Sequence, residues 1–273
     1  QQNPFYPYFS RRLPELLDDC LTVGFSLNYL SQALSTFAMI GYIRANFPDK
    51  KIILGGGLVT SWMQRPGWCN PFQHLADHLI SGPGELPLLE LLGCRAAPGN
   101  HITPDYTALP LKEYLSPGLI LPYSAAGGCW WNHCTFCPER AEGAIYRPIA
   151  AKQVLTDLQL LTAQTGPDLI HLLDNAVSPS LLRGLAVDPP GAPWYGFARI
   201  DEQLADPDFC RALKLSGCVM LKLGLESGDQ TVLDRMQKGI DLDTAARVLS
   251  SLRQAGIAVY CYLLFGTPGE TEV

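Results

Sequence analysis

The chain has 273 residues, of which 47% are hydrophobic and 17% are charged. That composition provides enough apolar side chains for a packed core and excludes an intrinsically disordered protein. The formal net charge of −6 disfavours a nucleic-acid partner and an anionic membrane surface. No apolar run reaches the ~20 residues that a membrane span requires, so no membrane partner is expected.

Residues 1–95 alternate between strand-like and helix-like patterns, which favours a parallel α/β sheet. Buried strands are predicted over residues 20–26, 51–57 and 78–85. Between the first two strands, residues 29–45 carry apolar side chains at helical spacing. The strand ends open into glycine-rich turns, which is where open α/β sheets bind their ligands.

Residues 96–117 are rich in proline and show no clear periodicity, so they are predicted to be a linker. The alternation resumes over residues 118–273, where a strand followed by a helix repeats five times. That repetition predicts most of a TIM-barrel-like β/α barrel. The predicted strands cover residues 119–128, 168–174, 194–200, 219–228 and 257–266.

Nine cysteines are present, and the chain shows no secretion signal. An odd number in this context argues against a disulfide framework and for a reducing compartment, so a cytoplasmic protein is expected. Six of them are scattered singly. Cys129, Cys134 and Cys137 lie within nine residues, after a predicted strand and before a predicted helix, with the spacing Cys-x4-Cys-x2-Cys.

Three thiolates on one short loop can bind a soft metal together, as a zinc ion or as an iron–sulfur cluster. A structural zinc ion needs four protein ligands, but the sequence offers no second cysteine pair and His133 lies between the cysteines. A [4Fe–4S] cluster on three thiolates keeps one iron open to a substrate or cofactor. Three buried, unreactive cysteines are the third alternative, although the flanking residues lack a core periodicity.

The segment GGCWWNHCTFCPERAEG resembles the cysteine signature of the radical S-adenosylmethionine (SAM) superfamily. The commonest spacing in that family is Cys-x3-Cys-x2-Cys with an aromatic residue before the last cysteine, a position that Phe136 fills. The first gap here is one residue longer, as in some lineages of the superfamily. Downstream, YGFARI, LKLGLESGDQTVLDRMQKG and LRQAGIAVYCYLLFGTPGETE resemble later barrel strands, so the resemblance covers residues 118–273.

The resemblance implies that Cys129, Cys134 and Cys137 hold a [4Fe–4S] cluster, the catalytic and metal site, whose open iron chelates SAM. Phe136 would then pack near the SAM adenine. The sixth strand of the usual partial barrel is missing from the sequence. Because the chain also starts without Met, we expect a fragment of a longer protein.

Four further residues at predicted strand ends are implied to contact SAM. Asp174 would meet the amino group, although the glycines of the usual Gly-Gly-Glu-like motif are absent. Arg199 suits the carboxylate and Glu226 the ribose hydroxyls. Gly266 corresponds to the glycine motif beside the adenine.

Each of these polar residues also has a structural alternative. Glu226 could cap the helix that begins after Gly228, because a carboxylate stabilises a helix N-terminus. Arg199 could pair with Asp201 or Asp174. Lys238 is expected at the surface, and His133 and His171 are expected to make local hydrogen bonds.

The N-terminal segment VGFSLNYLSQALSTFAMIGYIRANFPDKKIILGGGLVT resembles the second half of a cobalamin (B12)-binding domain, which is Rossmann-like. Ser26 matches a Ser-x-Leu motif of that family, and Gly55 and Gly56 match its Gly-Gly motif, so these residues are the cobalamin candidates. The histidine-ligand motif would precede Gln1. A Rossmann-like scaffold without cobalamin is the alternative.

The sequence thus predicts an α/β protein with an incomplete Rossmann-like, B12-binding-type domain over residues 1–95. A partial (β/α)6-type radical SAM barrel over residues 118–273 follows, without its last strand. The resemblance implies an enzyme that cleaves SAM to a 5′-deoxyadenosyl radical and, with cobalamin, transfers methyl groups. It further implies a small-molecule or peptide substrate and an electron donor such as flavodoxin or ferredoxin. A zinc-stabilised binding domain without catalysis is the alternative.

Overall fold

A computed structural model describes residues 3–94 and 101–270, and the chain divides into two compact units, Gln1–Asn100 and His101–Val273. Part of the predicted linker, residues 96–100, and the extreme ends of the two predicted domains lie outside the described residues. The predicted α/β class with parallel sheets is confirmed. No helix in the described ranges combines the length and the apolar character needed to cross a membrane.

The first unit is built on a parallel sheet with the strand order β1-β2-β3. Its core buries Ile52 and Leu54 of the central strand against the helices. The third strand is shorter than predicted, because pairing stops after Leu79 and a turn with Gly82 at φ 75° follows. The elements are α1 (Tyr6–Leu17), β1 (Thr22–Ser26), α2 (Leu30–Asn46), β2 (Lys51–Gly55), α3 (Gly57–Met63), β3 (His78–Leu79) and α4 (Glu85–Leu91).

The second unit contains five parallel strands in the order β10-β9-β8-β7-β4, so each strand pairs with its neighbour in the βα repeat. All five predicted strands of this half are present. The elements of the main repeat are β4 (Ile120–Tyr123), α6 (Ala151–Thr165), β7 (Leu169–Leu172), α7 (Pro179–Val187), β8 (Trp194–Ala198), α8 (Glu202–Ala205), α9 (Pro207–Leu215), β9 (Cys218–Glu226), α10 (Gln230–Arg235), α11 (Leu242–Ala255) and β10 (Ala258–Leu263).

Three small elements interrupt the repeat after β4. They are β5 (Ala126–Gly127), α5 (Pro138–Ala141) and β6 (Arg147–Pro148). The two short strands pair antiparallel, and the three clustered cysteines lie on the segment that they enclose. The cysteine segment is therefore an insertion between β4 and α6, closed at its base by a two-stranded hairpin.

Side chains alternate between the two faces of the main sheet. Ile170, Trp194 and Leu223 are completely buried in a core that also contains side chains of α6, α7, α9 and α11. The intervening residues, such as Tyr195 and Lys222, are half-buried and point to the opposite face. We call that opposite face the inner face of the sheet.

Residues 101–106 belong to the predicted linker but pack on the second unit. His101 Nε2 lies 2.5 Å from the buried Asp157 carboxylate, and the Thr103 hydroxyl donates to the same group at 2.8 Å. Tyr106 packs against the core. The composition of this segment indicated a break in periodicity, but it did not predict that side chains of the segment would contact the second unit.

Candidate functional site

The three clustered cysteines all lie on the loop between β5 and β6. Cys134 is buried, and Cys129 and Cys137 are half-buried, with Cys137 directly preceding α5. Burial raises the pKa of the Cys137 thiol, and negative charge on Cys134 and Cys129 raises it further. Cys134 and Cys129 therefore lie within electrostatic range of the Cys137 thiol.

A turn over residues 236–239, which follows α10, holds the cysteine loop in place. The Thr135 N–H donates to the Met236 carbonyl at 2.9 Å, and the Trp131 indole donates to the Gln237 carbonyl at 3.1 Å. Arg140 donates to the Gln237 side-chain oxygen at 3.1 Å. Residues about 100 positions apart in sequence therefore form one hydrogen-bonded unit.

Arg199 lies at the end of β8 and is buried beside the cysteine loop and the turn at residues 236–239. Its guanidinium carbon is 4.1 Å from the ring centre of Trp131 and 5.6 Å from that of Trp130. It donates to the carbonyl of Lys238, and to that of Gly239 at 3.3 Å. Stacking and carbonyl contacts together fix the guanidinium in the site.

The charge of Arg199 faces the cysteines. Burial lowers the pKa of the guanidinium, and the thiolates of Cys134 and Cys129 oppose that shift. Both cysteines therefore lie within electrostatic range of the guanidinium. Among the ion pairs of the described residues, none joins Arg199 to Asp201 or Asp174. The alternative of a structural salt bridge is therefore wrong for the described part of the chain.

Glu226, the last residue of β9, is buried and accepts a hydrogen bond from the Lys238 ammonium at 2.8 Å. The ammonium lies 5.6 Å from the ring centre of Phe136. The expectation that Lys238 is a surface residue is wrong, because the turn at residues 236–239 directs its side chain inward. Helix α10 is capped by Asp229 rather than by Glu226, so the capping alternative is also wrong.

Asp174 and Gly266 follow the ends of β7 and β10. Burial raises the pKa of the Asp174 carboxyl, which accepts hydrogen bonds from the N–H groups of Ala125, at 3.1 Å, and of Ala126. These bonds join the end of β7 to the segment that enters the cysteine loop. Gly266 has a φ of 76° and open space beside its Cα.

The strand-end residues therefore occupy one edge of the sheet, since carboxyl ends of neighbouring parallel strands lie side by side. The structure connects Glu226 to Phe136 through Lys238, and Arg199 to the cysteines. Gly266 is two residues beyond Leu264, whose N–H donates to the Glu226 carbonyl at 2.9 Å. Asp174 contacts backbone groups rather than the other site residues.

The contributions of Lys238, Trp131 and the turn at residues 236–239 were not predicted from the sequence. One signal was available, because the segment LKLGLESGDQTVLDRMQKG that resembles the family ends at Lys238 and Gly239. A lysine followed by glycine in a turn indicates a backbone that bends sharply beside a long, charged side chain. The contact with Trp131 could not be read from the sequence.

The residues of the cysteine loop suit an iron–sulfur cluster by their chemistry. Cys134 and Cys129 lie within electrostatic range of the Arg199 guanidinium, whose charge would offset that of thiolate ligands. The indole N–H of Trp130 is buried without a hydrogen-bond partner in the described residues, and an acceptor such as a cluster sulfide would satisfy it. No three His, Cys, Asp or Glu side chains within residues 3–94 and 101–270 form a group that could hold a metal ion.

The three cobalamin candidates of the first unit line one cavity of about 300 Å³ at the carboxyl ends of β1 and β2. Gly56 has a φ of 104°, and a Cβ there would lie 2.5 Å from the Leu27 carbonyl oxygen, so only glycine fits. Asn28 donates to the Ser26 hydroxyl at 3.1 Å. Gly55 completes the wall of this cavity.

The chain is similar to one protein family and to several known proteins. Residues 198–273 match the family described as Radical SAM superfamily. The chain is 23% identical over 179 residues to an uncharacterized methyltransferase, PH0819, of Pyrococcus horikoshii, covering 62% of this chain and 38% of the relative. It is 23% identical over 205 residues to the anaerobic magnesium-protoporphyrin IX monomethyl ester cyclase of Rubrivivax gelatinosus, covering 71% of this chain and 35% of the relative. The chain thus spans little more than a third of these curated relatives.

Two solved structures share the fold over nearly the whole chain. The radical SAM methyltransferase TsrM from Kitasatospora setae, with cobalamin and a [4Fe–4S] cluster bound, has a TM-score of 0.71 at 18% identity, covering 96% of this chain and 62% of that chain. The cobalamin-dependent SAM radical enzyme OxsB has a TM-score of 0.66 at 17% identity, covering 93% and 42%. The radical SAM family implies a [4Fe–4S] cluster and SAM as cofactors. Residues 198–273 are thus similar to the radical SAM superfamily, and the chain shares its fold with TsrM and OxsB.

Proposed function

We propose that this protein is a radical SAM enzyme. The observation that carries the proposal is the placement of Cys129, Cys134 and Cys137 on one short loop, with Cys129 and Cys134 in electrostatic range of the buried Arg199, at the strand-end edge of a parallel sheet. When bound and reduced, a [4Fe–4S] cluster would supply the electron that cleaves SAM to methionine and a 5′-deoxyadenosyl radical. The cofactors carry this chemistry, and the protein binds and orients them.

The residues of the site have distinct tasks in this proposal. The three cysteines hold the cluster, and the positive charge of Arg199 offsets the negative charge that cysteine ligands carry when a cluster is bound. Glu226 accepts hydrogen bonds from the ribose of SAM, while its contact with Lys238 orients the carboxylate. Phe136 offers a ring face to the adenine.

Asp174, Arg199 and Gly266 complete the proposed SAM contacts. Asp174 would accept from the SAM amino group, and Gly266 would let the adenine approach the backbone after β10. Arg199 keeps N–H donors beyond those on the two backbone carbonyls, because a guanidinium has five. Those donors would bind the SAM carboxylate.

We further propose that the reaction is methyl transfer with cobalamin. The support is the cavity lined by Ser26, Gly55 and Gly56, together with the fold shared with proteins described as cobalamin-dependent. A cavity of about 300 Å³ would hold only one part of so large a cofactor. Bound cobalamin would supply a transferable methyl group.

The expected partners follow from this chemistry. A small protein reductant such as flavodoxin or ferredoxin would deliver the electron, and the substrate would be a small molecule or a peptide. A reducing compartment suits both the free thiols and an iron–sulfur cluster, so we propose a cytoplasmic protein.

The test is the iron and acid-labile sulfide content after anaerobic reconstitution, with visible spectra taken before and after addition of SAM. About four irons and four sulfides per chain are expected, with a spectrum that changes on adding SAM. The triple variant Cys129→Ala, Cys134→Ala, Cys137→Ala should lose the bound iron and sulfide and the spectral change on adding SAM.

The matched control replaces three exposed cysteines, Cys69→Ala, Cys94→Ala and Cys261→Ala, and should retain the cluster. Bound zinc without visible absorption would overturn the proposal and favour a zinc-stabilised binding domain. In that case removal of the metal should also unfold the second unit.

A further inference from the structure

Five side chains form an aromatic surface on the inner face of the main sheet. They come from four neighbouring strands: His171 on β7, Tyr195 and Phe197 on β8, Lys222 on β9 and Tyr262 on β10. His171 stacks on Tyr195 with ring centres 4.2 Å apart and planes 7° apart. Phe197 stacks on Tyr262 with centres 5.1 Å apart and planes 27° apart. We call this set the aromatic face.

Within residues 3–94 and 101–270, Lys222 provides the only cation on the aromatic face. Its ammonium lies 4.9 Å from the ring centre of Tyr195 and 5.3 Å from that of Phe197. It is 3.4 Å from Nε2 of His171. Among the described residues no carboxylate lies within ion-pair distance of Lys222, in contrast to Lys238 with its partner Glu226.

The neighbouring imidazole does not neutralise this charge. Burial lowers the pKa of His171, and the charge of Lys222 lowers it further, so the imidazole is uncharged at neutral pH. An ammonium can only donate, and Nε2 of His171 must therefore accept in this contact. Lys222 keeps two further N–H donors without a carboxylate to receive them. A half-buried ammonium without a carboxylate partner favours the approach of an anion.

The aromatic face is separated from the proposed SAM contacts along the strands. Lys222 precedes Glu226 by four residues on the same face of β9, a distance of about 13 Å at strand spacing. Gly224 lies between them on that face, and a Cβ there would fall 2.3 Å from Glu226 Oε1. The Glu226 carboxylate and the Lys238 ammonium, which would lie 2.8 Å from the same Cβ, therefore cover Gly224 and bound the aromatic face on the side of the proposed SAM contacts.

We propose that the aromatic face binds the substrate, through a planar aromatic ring that carries one carboxylate. This inference rests on the proposed function, because it places the substrate beside the SAM contacts. The ring would pack against Tyr195, Phe197 and Tyr262, and the carboxylate would accept from Lys222. One ammonium beside an uncharged imidazole matches a single negative charge, which favours a carboxylate over a phosphate dianion.

The experiment compares two probes of nearly equal size, 1-naphthoate and the uncharged 1-naphthamide, by calorimetric titration of the full chain. We expect 1-naphthoate to bind at least about tenfold more tightly than the amide, since a hydrogen bond to a charged group is involved. Lys222→Met should abolish that preference, and Lys222→Arg should retain it. Lys214→Met, which changes an exposed lysine of α9, should behave as the unchanged protein.

Equal binding of the two probes, absence of binding, or an unchanged preference in Lys222→Met would each overturn the inference. Phe197→Leu provides a second variant should Lys222→Met not fold, and it should weaken both probes alike by removing the ring. Iron and sulfide content is measured on the same samples. A preference for 1-naphthoate without a cluster would refute the proposed function alone, and a loaded cluster without the preference would refute this inference alone.

Discussion

At the scale of single residues, the buried ion pair Glu226–Lys238 links the candidate site to the stability of the fold. Both side chains are about one-tenth exposed, at 9% and 10%. Removing one partner leaves the other charge buried without compensation. We therefore expect Lys238→Met to lower the free energy of unfolding by about 3–5 kcal/mol. The double variant Glu226→Gln, Lys238→Met should recover part of that loss in a denaturant titration of the cluster-free protein.

The exposed pair Glu202–Arg247 is the matched control, with side chains 72% and 55% exposed. Arg247→Met should cost less than about 1 kcal/mol, because water screens this pair. Equal losses for Lys238→Met and Arg247→Met would show that Lys238 is not buried as described.

A second residue-scale prediction concerns acid stability. Burial would raise the pKa of Asp157, but hydrogen bonds from Tyr123, His101 and Gln153 lower it to about 2. The unfolded carboxyl, at its ordinary value of 3.8, takes up a proton at higher pH than the folded one. The contribution of the Asp157 carboxylate to the free energy of unfolding is thus fully present above about pH 4 and is lost as the pH falls towards 2.

The measurement is the free energy of unfolding of the cluster-free protein between pH 6 and pH 2.5. Asp157→Asn should be less stable at pH 6, by on the order of 2 kcal/mol, and should lose less stability on acidification. Glu113→Gln, at an exposed position, should follow the unchanged protein. A parallel pH dependence for Asp157→Asn and the unchanged protein would contradict the assignment of this carboxylate.

At the scale of elements, the cysteine loop depends on the turn at residues 236–239. Gly239 has a φ of 63°, and a Cβ there would lie 2.1 Å from the Trp131 ring. Gly239→Ala must therefore displace Trp131 and strain the turn. We expect faster amide exchange over residues 129–140 and a lower iron content after reconstitution.

Gly228→Ala is the control for this change, because no atom lies within 4 Å of a Cβ at that position. It should retain the exchange pattern of the cysteine loop and the iron content. Unchanged exchange in Gly239→Ala would mean that the turn does not hold the loop.

The elements also show which parts of the fold a sequence can predict. The sequence predicts a helix over residues 243–255 begun by an aspartate, and the structure has α11 there with Asp241 as its cap and Asp243 in its first turn. Helix α1 was not predicted, since Pro14 lies inside it and disfavours helix formation. Phe9, Leu13 and Leu17 nevertheless bury one stripe of that helix in the first core. Tertiary packing there outweighs local preference, and it is not visible in the sequence.

At the scale of the whole chain, the order of the strands allowed the sequence to predict which edge of the sheet carries the candidate site. Asp174, Arg199, Glu226 and Gly266 all follow strands that the βα repeat places side by side. Side-chain direction was not predictable in the same way. Lys238 turns inward because of contacts made 100 residues earlier in the chain, and no local pattern encodes that contact.

Two separate cores underlie the two units, and each contains a fully buried leucine on a central strand. Leu54 lies in the core of the first unit and Leu223 in that of the second. Replacing either by alanine removes buried methyl groups and leaves a cavity, at a cost of about 2–5 kcal/mol. Because each core is confined to one unit, the cost should fall on the unit that carries the change.

Hydrogen exchange of the full chain, followed by peptide mass spectrometry, distinguishes the outcomes. Leu54→Ala should speed exchange in β1 and β2, and Leu223→Ala in β8, β9 and β10, with the other sheet unchanged in each case. Acceleration of both sheets by either variant would instead show that the units unfold as one cooperative structure. In that case a change at the first unit would also alter the cysteine loop, and iron content would fall in Leu54→Ala as well as in Leu223→Ala.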